Sequence, residues 1–271
     1  MSGVLVDARD KTVQITTKEQ LERSVVALEV ANRDLEAFSD SLAHDLKTPL
    51  LTVTNFSYYL SESLQDSLEG TQADHLERIL AAGQQMMHII EDLRDLADVG
   101  RVDIRQDDVD LTSFGRGIMD DLRALAPDRV VNFEAAPDIM ALGDATLLRL
   151  LLTNLLQNAW KYTGDKPGAR IELGVIEDET DVPVYFVRDN GIGFDNVHRE
   201  KIFRAFERLD TVGDIAGSGL GLATVDRIVH RHGGRMWAEG TPGEGAVFYF
   251  TLASSSSDVA GLILDRRTHS R

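Results

Sequence analysis

The sequence contains no cysteine in its 271 residues. Disulfide scaffolds, thiolate nucleophiles and thiolate zinc sites all require that sulfur, so this absence excludes all three. It is also compatible with the cytosol, where structural disulfides are rare.

Long apolar runs are absent as well. No stretch approaches the roughly 20 residues that a membrane-spanning helix needs. The N-terminal run MSGVLVDARDKTVQ also lacks the basic start and apolar core of a secretory signal. We therefore expect a soluble, cytoplasmic chain without direct membrane insertion.

Positive charge is in short supply, because 28 Lys and Arg face 45 Asp and Glu and give a formal net charge of −17. A field of this sign repels nucleic acid and acidic lipid, so neither is expected as a partner. Any phosphate site must therefore be formed by a few basic or N–H groups that the fold brings together. The length and the hydrophobic fraction of 43% predict two packed domains.

Leucines recur at seven-residue intervals in the helical stretch that begins near Thr17. The positions are Leu21, Leu28, Leu35 and Leu42. This spacing predicts a parallel coiled-coil signal helix that enters a helical bundle. The second stripe of the seam has two alternatives, which are Ser24, Ala31 and Phe38 or Val25, Asn32 and Ser39.

Two helices are predicted to form an antiparallel hairpin after this coiled coil. The first helix runs through Pro49 to about Leu64, where a polar stretch breaks it. In the second, from about Asp74 to Val99, apolar and small residues alternate in steps of three and four. Two such hairpins fit a dimeric four-helix bundle.

Beyond the polar segment 101–110 the coiled-coil spacing ends, and helices alternate with strands. Helices are predicted at 112–125, from an N-cap at Asp144 to Tyr162, and at 220–232, and strands near 130–134, 170–176, 184–188, 235–239 and 246–252. This order predicts an α+β sandwich. The glycine-rich region 189–221 is interpreted as a lid, because a long loop in a compact domain is usually functional. The serine-rich tail 254–271 is expected to be disordered.

A histidine and an aspartate stand together on the first hairpin helix. His44 follows Leu42 by two residues, about 200° around a helix, so we expect it on the solvent face. Asp45 could hold a proton on one imidazole nitrogen and leave the other free to attack phosphorus. Pro49 crowds the carbonyl of Asp45 and should loosen the helix beside His44. An isolated His-Asp pair is more often simply solvated.

Polar residues share one face of the helix that starts at Asp144. Asn154 and Asn158 are four residues apart, with Lys161 nearly in line and Tyr162 beside it. Amide oxygens suit Mg²⁺ and an ammonium suits phosphate, although a plain amphipathic helix is the simpler alternative for one Asn pair.

Two further motifs lie in the interpreted lid region. In DNGIGF, Asp189 can accept from an exocyclic amine, and Gly191 and Gly193 let the backbone approach a planar ligand. A simple Asx-Gly turn is the alternative. KIFRAFERLD predicts a short amphipathic helix that buries Ile202, Phe203 and Phe206 and projects Arg204 and Arg208 outward.

Glycines also precede the last helix in GSGLGL, where Gly217, Gly219 and Gly221 could expose N–H groups to phosphate. A dinucleotide-binding reading fails, because this run follows a loop instead of a first strand. His230 and His232 do not face each other on a helix, so we expect them to serve the helix end instead of a metal.

In this order, HDLKTPL, NLLQNAWKYT, DNGIGF with KIFRAFERLD, and GSGLGL resemble the motifs of sensor histidine kinases. Within that family, FSDSLAHDLKTPL and GLATVDRIVHRHGGRMWAEG are most similar to the output modules of phytochrome-type kinases. Ser218 stands where the family more often has threonine.

The resemblance implies a dimeric four-helix-bundle phosphotransfer domain followed by a GHKL or Bergerat-type α+β domain that binds ATP, the fold shared with gyrase, Hsp90 and MutL. The expected division is an N-terminal segment 1–20, a coiled-coil helix 17–38, the dimerisation and phosphotransfer domain 39–100, a linker 101–110, the ATP-binding domain 111–253 and the tail 254–271.

Roles also follow from the resemblance. His44 is the implied phospho-acceptor, Asp45 its orienting base, and Thr48 the residue that orients water for dephosphorylating a partner regulator. Asn158 is the implied Mg²⁺ ligand and Asp189 the adenine acceptor. The other implied ATP-binding residues are Asn154, Lys161, Tyr162, Gly191, Gly193, Arg204, Arg208, Gly217, Gly219, Leu220 and Gly221.

The implied activity is ATP-dependent autophosphorylation of His44 and transfer of the phosphoryl group to an aspartate of a response regulator. The implied partners are a second copy of the chain, a receiver domain, and an upstream sensor domain or separate sensor protein. Two alternatives are a conformational ATPase of the same ATP-binding fold and a nucleotide-binding scaffold without catalysis.

Overall fold

The computed structural model describes residues 43, 45–63, 71–101, 103–164, 166–176, 182–209 and 217–253. His44, the leucine repeat and the tail lie outside these residues. Helix α1 is helical at 43 and over 45–63, and α2 spans Thr71–Arg101. The predicted helical hairpin is confirmed. No helix within the described ranges is long and apolar enough to cross a membrane.

The hairpin buries little of its own apolar surface. Ala43, Leu50 and Ile90 form its buried cluster, with Met87 packed against them. Most of the large apolar side chains of α1 stay exposed in the single chain, namely Leu46, Leu51, Val53, Phe56, Tyr58, Tyr59 and Leu60. Within the described part of the chain, these apolar side chains of the hairpin are therefore left uncovered.

The second domain has two layers, as predicted for an α+β sandwich. Its remaining elements are β1 (Asp107–Asp110), α3 (Leu111–Leu125), β2 (Val131–Ala135), β3 (Met140–Gly143), α4 (Ala145–Tyr162), β4 (Ala169–Ile176), β5 (Val184–Asp189), α5 (Gly221–Arg231), β6 (Met236–Thr241) and β7 (Gly245–Thr251). Five strands form one sheet in the order β2-β4-β5-β7-β6, and β1 pairs with β3 in a separate ribbon. Strand β2 runs parallel to β4, and the other neighbours are antiparallel.

Helix α4 lies at the centre of the core. Six of its leucines are at most 4% exposed, and they are Leu147, Leu148, Leu151, Leu152, Leu155 and Leu156. The buried stripe is broad because α4 packs against α3 and α5 as well as against the sheet.

Three elements depart from the sequence-based expectation. The segment 101–110 contains β1, and β3 was not predicted, because each is four residues long and only their mutual pairing defines them. The amphipathic helix predicted for KIFRAFERLD is wrong. The chain forms only a short 3₁₀ turn at Lys201–Phe203, and Phe206 is 63% exposed instead of buried.

Phe206 explains why that helix does not form. Its φ is +64°, and a left-handed residue cannot continue a right-handed helix. Its backbone N–H donates to the carbonyl of Gly219 at 3.0 Å, which holds this segment against the GSGLGL run. Ile202 and Phe203 do pack against the core, and Arg204 and Arg208 are exposed, as predicted.

His232 fastens the start of α4 to the end of α5. Its Nε2 accepts the Asp144 N–H at 3.0 Å, so Nδ1 carries the proton and donates to the Ile228 carbonyl at 2.8 Å. Burial would raise the pKa of Asp144, but backbone N–H donors, among them that of Leu147, outweigh burial and hold it below its usual value. The expectation that His232 serves a helix end is confirmed.

We predict that His232 makes the stability of this domain sensitive to acid. Burial is the largest cause that lowers the pKa of His232 in the folded state, whereas a histidine in the unfolded chain titrates near 6.5. Its contribution is therefore complete above that pH and is lost as the pH falls below it. Between pH 7.5 and 5.5 the free energy of unfolding should fall by up to about 1.4 kcal/mol more in the wild type than in His232→Gln.

Urea unfolding followed by tryptophan fluorescence measures this difference, because both tryptophans, Trp160 and Trp237, lie in this domain. His230→Gln is the matched control, since His230 is exposed on the same helix. If the free energy of unfolding depends on pH equally in the wild type and in His232→Gln, a group other than His232 causes the dependence.

Candidate functional site

A cavity of about 700 Å³ lies between α2 of the hairpin and the second domain. Most of the predicted site residues of that domain line it, and they are Asn154, Asn158, Lys161, Tyr162, Asp189, Gly193, Arg208, Gly217, Gly219 and Gly221. Gly191, Arg204 and Leu220 do not line it. Asp45 and Thr48 are exposed on α1, away from the cavity wall.

The last turns of α4 supply one wall of the cavity. Asn154 donates from Nδ2 to the Leu150 carbonyl at 3.0 Å, so its amide is held by its own helix. A Cβ at Gly221 would lie 2.6 Å from Asn154 Oδ1, so only glycine lets α5 begin this close to α4. Asn154 therefore positions the start of α5.

A positive group lies at the open end of the same wall. The Lys161 ammonium sits over the Tyr162 ring at 4.3 Å, and a Cβ built at Gly217 would lie 2.9 Å from its Nζ. Lys161 thus reaches from α4 to the GSGLGL run, and Arg208 lines the cavity beside them. These cations make this end of the cavity suited to an anion.

Asp189 is the buried carboxylate of the cavity, at 6% exposure. Its Oδ1 accepts the Gly191 N–H at 2.8 Å. Burial raises the pKa of Asp189 to about 6, and hydrogen bonds from the backbone N–H groups of Gly191 and Ala246 and the charge of Lys166 offset only part of that effect. Near pH 7 the group is therefore an ionised hydrogen-bond acceptor in an otherwise apolar floor formed by Ile192, Phe194 and Phe248.

The DNGIGF turn is fixed from both sides. Asn190 points away from the cavity, and its side chain binds the N–H of Arg170 and the carbonyl of Gly168. Gly193 has φ +63°, and a Cβ there would lie 2.0 Å from the Thr241 carbonyl oxygen. Asp189 lines the cavity while Asn190 is turned outward, Gly191 lies against the Tyr162 carbonyl at the end of α4, and Gly193 lies against the end of β6.

The GSGLGL run brings the start of α5 to the cavity. Ser218 Oγ accepts the Leu220 N–H at 3.0 Å, and Gly219 adopts φ +75°. Leu220 is fully buried and anchors the run to the core, which explains why it does not line the cavity. Because α5 begins at Gly221, the positive end of its helix dipole also points to this region.

The sequence reasoning missed the wall contributed by α2. Gln85, His88 and Asp92 lie at positions i, i+3 and i+7 of α2 and all line the cavity. That spacing marks one helix face and was available in the sequence. The sequence analysis used only the apolar and small positions of α2, whose spacing fits a bundle.

The donor set was tested for a magnesium ion. Asn158 lines the cavity and offers one amide oxygen. Among the described residues no group of three or more His, Asp or Glu side chains could hold a metal. Mg²⁺ commonly takes one or two protein ligands and completes its shell with water and substrate phosphates. The residues therefore fit a Mg²⁺ that arrives with a phosphate ligand.

Two family models match the chain. The model of the His Kinase A (phospho-acceptor) domain matches residues 34–101. The model of the Histidine kinase-, DNA gyrase B-, and HSP90-like ATPase matches residues 143–256. Together the two matches cover about two thirds of the chain.

Curated relatives match over most of the chain. Cyanobacterial phytochrome B of Nostoc sp. is 35% identical over 252 residues, which are 92% of this chain and 32% of that protein. The methanogenesis regulatory histidine kinase FilI of Methanothrix harundinacea is 35% identical over 259 residues, which are 93% of this chain and 28% of that protein. The chain thus spans about three tenths of the length of these relatives.

Among solved structures, full-length ShkA in complex with AMPPNP matches with a TM-score of 0.60 at 24% identity. The match covers 81% of this chain and 47% of that chain. At this identity the likeness shows the fold alone, a helical hairpin followed by the ATPase-type α/β domain.

Proposed function

Because the chain belongs to the sensor histidine kinases, as their catalytic core, we propose that it binds Mg²⁺-ATP in the cavity and transfers the γ-phosphoryl group to His44. The observation that carries this proposal is the cavity itself. Its lining includes a buried acceptor, Asp189, and the cations Lys161 and Arg208.

These groups fit the adenine and the phosphates of ATP. The Asp189 carboxylate would accept the exocyclic amine of adenine, while Ile192, Phe194 and Phe248 cover the base. Lys161, Arg208 and the amides at the start of α5 would bind the phosphates. Asn158 would hold a Mg²⁺ bound to those phosphates, and the ion would neutralise part of their charge.

The proposed transfer is an in-line displacement. One imidazole nitrogen of His44 forms a bond to the γ-phosphorus as the bond from that phosphorus to the bridging oxygen of ADP breaks. Asp45, the next residue, would keep the proton on the other ring nitrogen and so preserve the attacking lone pair. The cations at the phosphate end stabilise the charge that develops on ADP.

The exposed face of α1 supports a homodimer as the working form. Its uncovered side chains include Leu51, Phe56 and Leu60, and a second copy of the hairpin would bury them in a four-helix bundle. The relatives of this chain extend well beyond it, so we place the sensory input in a domain or protein outside these 271 residues. ATP as the donor is consistent with a cytoplasmic location.

The phosphoryl group on His44 would pass to an aspartate of a response regulator. Thr48 is exposed one turn beyond Asp45, with its carbonyl bound by Thr52 Oγ1 at 3.1 Å and its own hydroxyl on the surface. A receiver domain that docks beside His44 would be able to contact that hydroxyl. We therefore include phosphatase activity toward the regulator, with Thr48 orienting the water.

The first prediction for this reaction concerns His44. Incubation of the chain with γ-labelled ATP and Mg²⁺ should give acid-labile label on the protein, and His44→Gln should abolish it because the amide is no nucleophile. His75→Gln, which changes an exposed histidine on α2, should label like the wild type. A conformational ATPase would consume ATP without stable label, and a scaffold would bind ATP without consuming it. Label that persists in His44→Gln would exclude His44 as the acceptor.

The second prediction is a pH dependence of nucleotide affinity. With a pKa of about 6, Asp189 loses its negative charge as the pH falls through that value, and only the ionised group is a full acceptor. The dissociation constant for ATP should therefore rise by about tenfold between pH 7 and pH 5. Asp189→Asn should bind weakly and show a flatter profile, which also separates this effect from protonation of ATP itself. Equal pH slopes for both proteins would refute this role of Asp189.

The third prediction concerns Thr48. A receiver domain that accepts label from the phosphorylated chain is first identified among candidate regulators, and the labelled receiver is then mixed with fresh chain. Thr48→Ala should slow the loss of label from the receiver at least about tenfold, the usual scale for losing a group that positions a reacting water. Thr52→Ala, one turn further along α1, is the control. Equal rates for both variants would remove the phosphatase role.

A further inference from the structure

The hydroxyl of Ser218 connects the hairpin to the cavity. Ser218 Oγ donates to Asp92 Oδ2 on α2 at 2.5 Å. Ser218 Oγ also accepts the Leu220 N–H at 3.0 Å. A hydroxyl has a single proton to donate. Because that proton is directed to Asp92, Ser218 cannot at the same time donate to a phosphate oxygen of a bound nucleotide.

Asp92 also places a negative charge at the phosphate end of the cavity. Its side chain lines the cavity together with Lys161 and Gly217. It belongs to an acidic stretch of α2, and the pKa of the half-buried Asp95 is raised by burial first and then by the charges of Asp92 and Asp98. A polyphosphate that enters here meets repulsion as well as a competitor for the Ser218 proton.

The geometry of α2 allows this contact to break without loss of the fold. Val99, near the C-terminal end of α2, is 1% exposed and belongs to the core of the second domain, and its carbonyl accepts from the Arg231 guanidinium. Asp92 lies seven residues earlier, about 10 Å along the helix. Helix α2 can therefore separate from Ser218 while its end stays anchored at Val99.

We propose that Asp92 competes with the ATP phosphates for the Ser218 hydroxyl. The Asp92 carboxylate holds that hydroxyl whenever α2 is docked, and this lowers the affinity for the nucleotide. This inference rests on the proposed nucleotide site. ATP affinity and docking of α2 are then coupled, because each ligand of Ser218 must displace the other and the coupling is reciprocal. Asp92 acts through Ser218, so it is a positioning residue.

The test compares two substitutions on the same helix. Asp92→Ala and Asp98→Ala each remove one carboxylate from the acidic stretch and introduce a good helix former, but only Asp92 contacts Ser218. The dissociation constant for Mg²⁺-ATP is measured by calorimetry on the full chain. We expect about tenfold tighter binding for Asp92→Ala, the usual effect of one hydrogen bond to a charged group, and a change below about twofold for Asp98→Ala.

A double-mutant cycle with Ser218→Ala tests the route of the effect. Once Ser218 has no hydroxyl, Asp92→Ala should tighten binding much less, because only the charge repulsion of Asp92 is left to remove. In autophosphorylation the KM for ATP should fall in Asp92→Ala without a parallel fall in kcat, a split that a merely structural role would not give.

The possible failures are distinguishable. Equal shifts in Asp92→Ala and Asp98→Ala would reduce the effect to general charge, and weaker binding in Asp92→Ala would make Asp92 a ligand of the nucleotide or its metal. Either result overturns the inference and leaves the proposed function intact. Absence of ATP binding in the wild type and in every variant would overturn the proposed function and the inference with it.

Discussion

The burial of α4 is the constraint on which the rest of the second domain depends. Its leucines fill the space between the sheet and the flanking helices, and each fully buried leucine contributes about 1.5–3 kcal/mol. This burial fixes the rotation of the helix about its axis. Once that rotation is fixed, Asn154, Asn158 and Lys161 lie along one edge of the leucine face, where they line the cavity. The site is therefore a consequence of the packing of the core.

The same constraint explains the glycines and the buried polar groups around α4. The ends of α4 must be satisfied within the domain, and Asp144 with His232 does this at the start of the helix. At its other end, the Tyr162 carbonyl accepts the Ile192 N–H, which presses the DNGIGF turn against α4. The turn then has room only for glycine where it meets the strands, and Asp189 is left buried with a raised pKa. The chemical property of the carboxylate thus follows from how closely the turn approaches the helix.

Much of this was readable in the sequence, because the signals were local. The helix predicted from an N-cap at Asp144 to Tyr162 has the observed ends of α4, and the spacing of its asparagines predicts the cavity wall. The errors arise where a distant partner decides. Phe206 leaves the predicted helix because Gly219, 13 residues away, takes its N–H, and β1 exists only because β3 pairs with it. The cavity wall from α2 was missed for the same reason, since the spacing of Gln85, His88 and Asp92 marks a helix face but does not show that another domain packs there.

Helix α2 contacts both α1 and the cavity, so it can carry a signal from the bundle to the nucleotide. One face of α2 packs against α1 through Ile90, and another lines the cavity through His88 and Asp92. A rotation or tilt of the hairpin cannot change the first face without moving the second, because an α-helix is rigid over these few turns. A small shift is enough, since a hydrogen bond weakens steeply beyond about 3.5 Å. Input that repacks the bundle is therefore transmitted to the phosphate end of the cavity by one continuous helix, and no separate relay element is required.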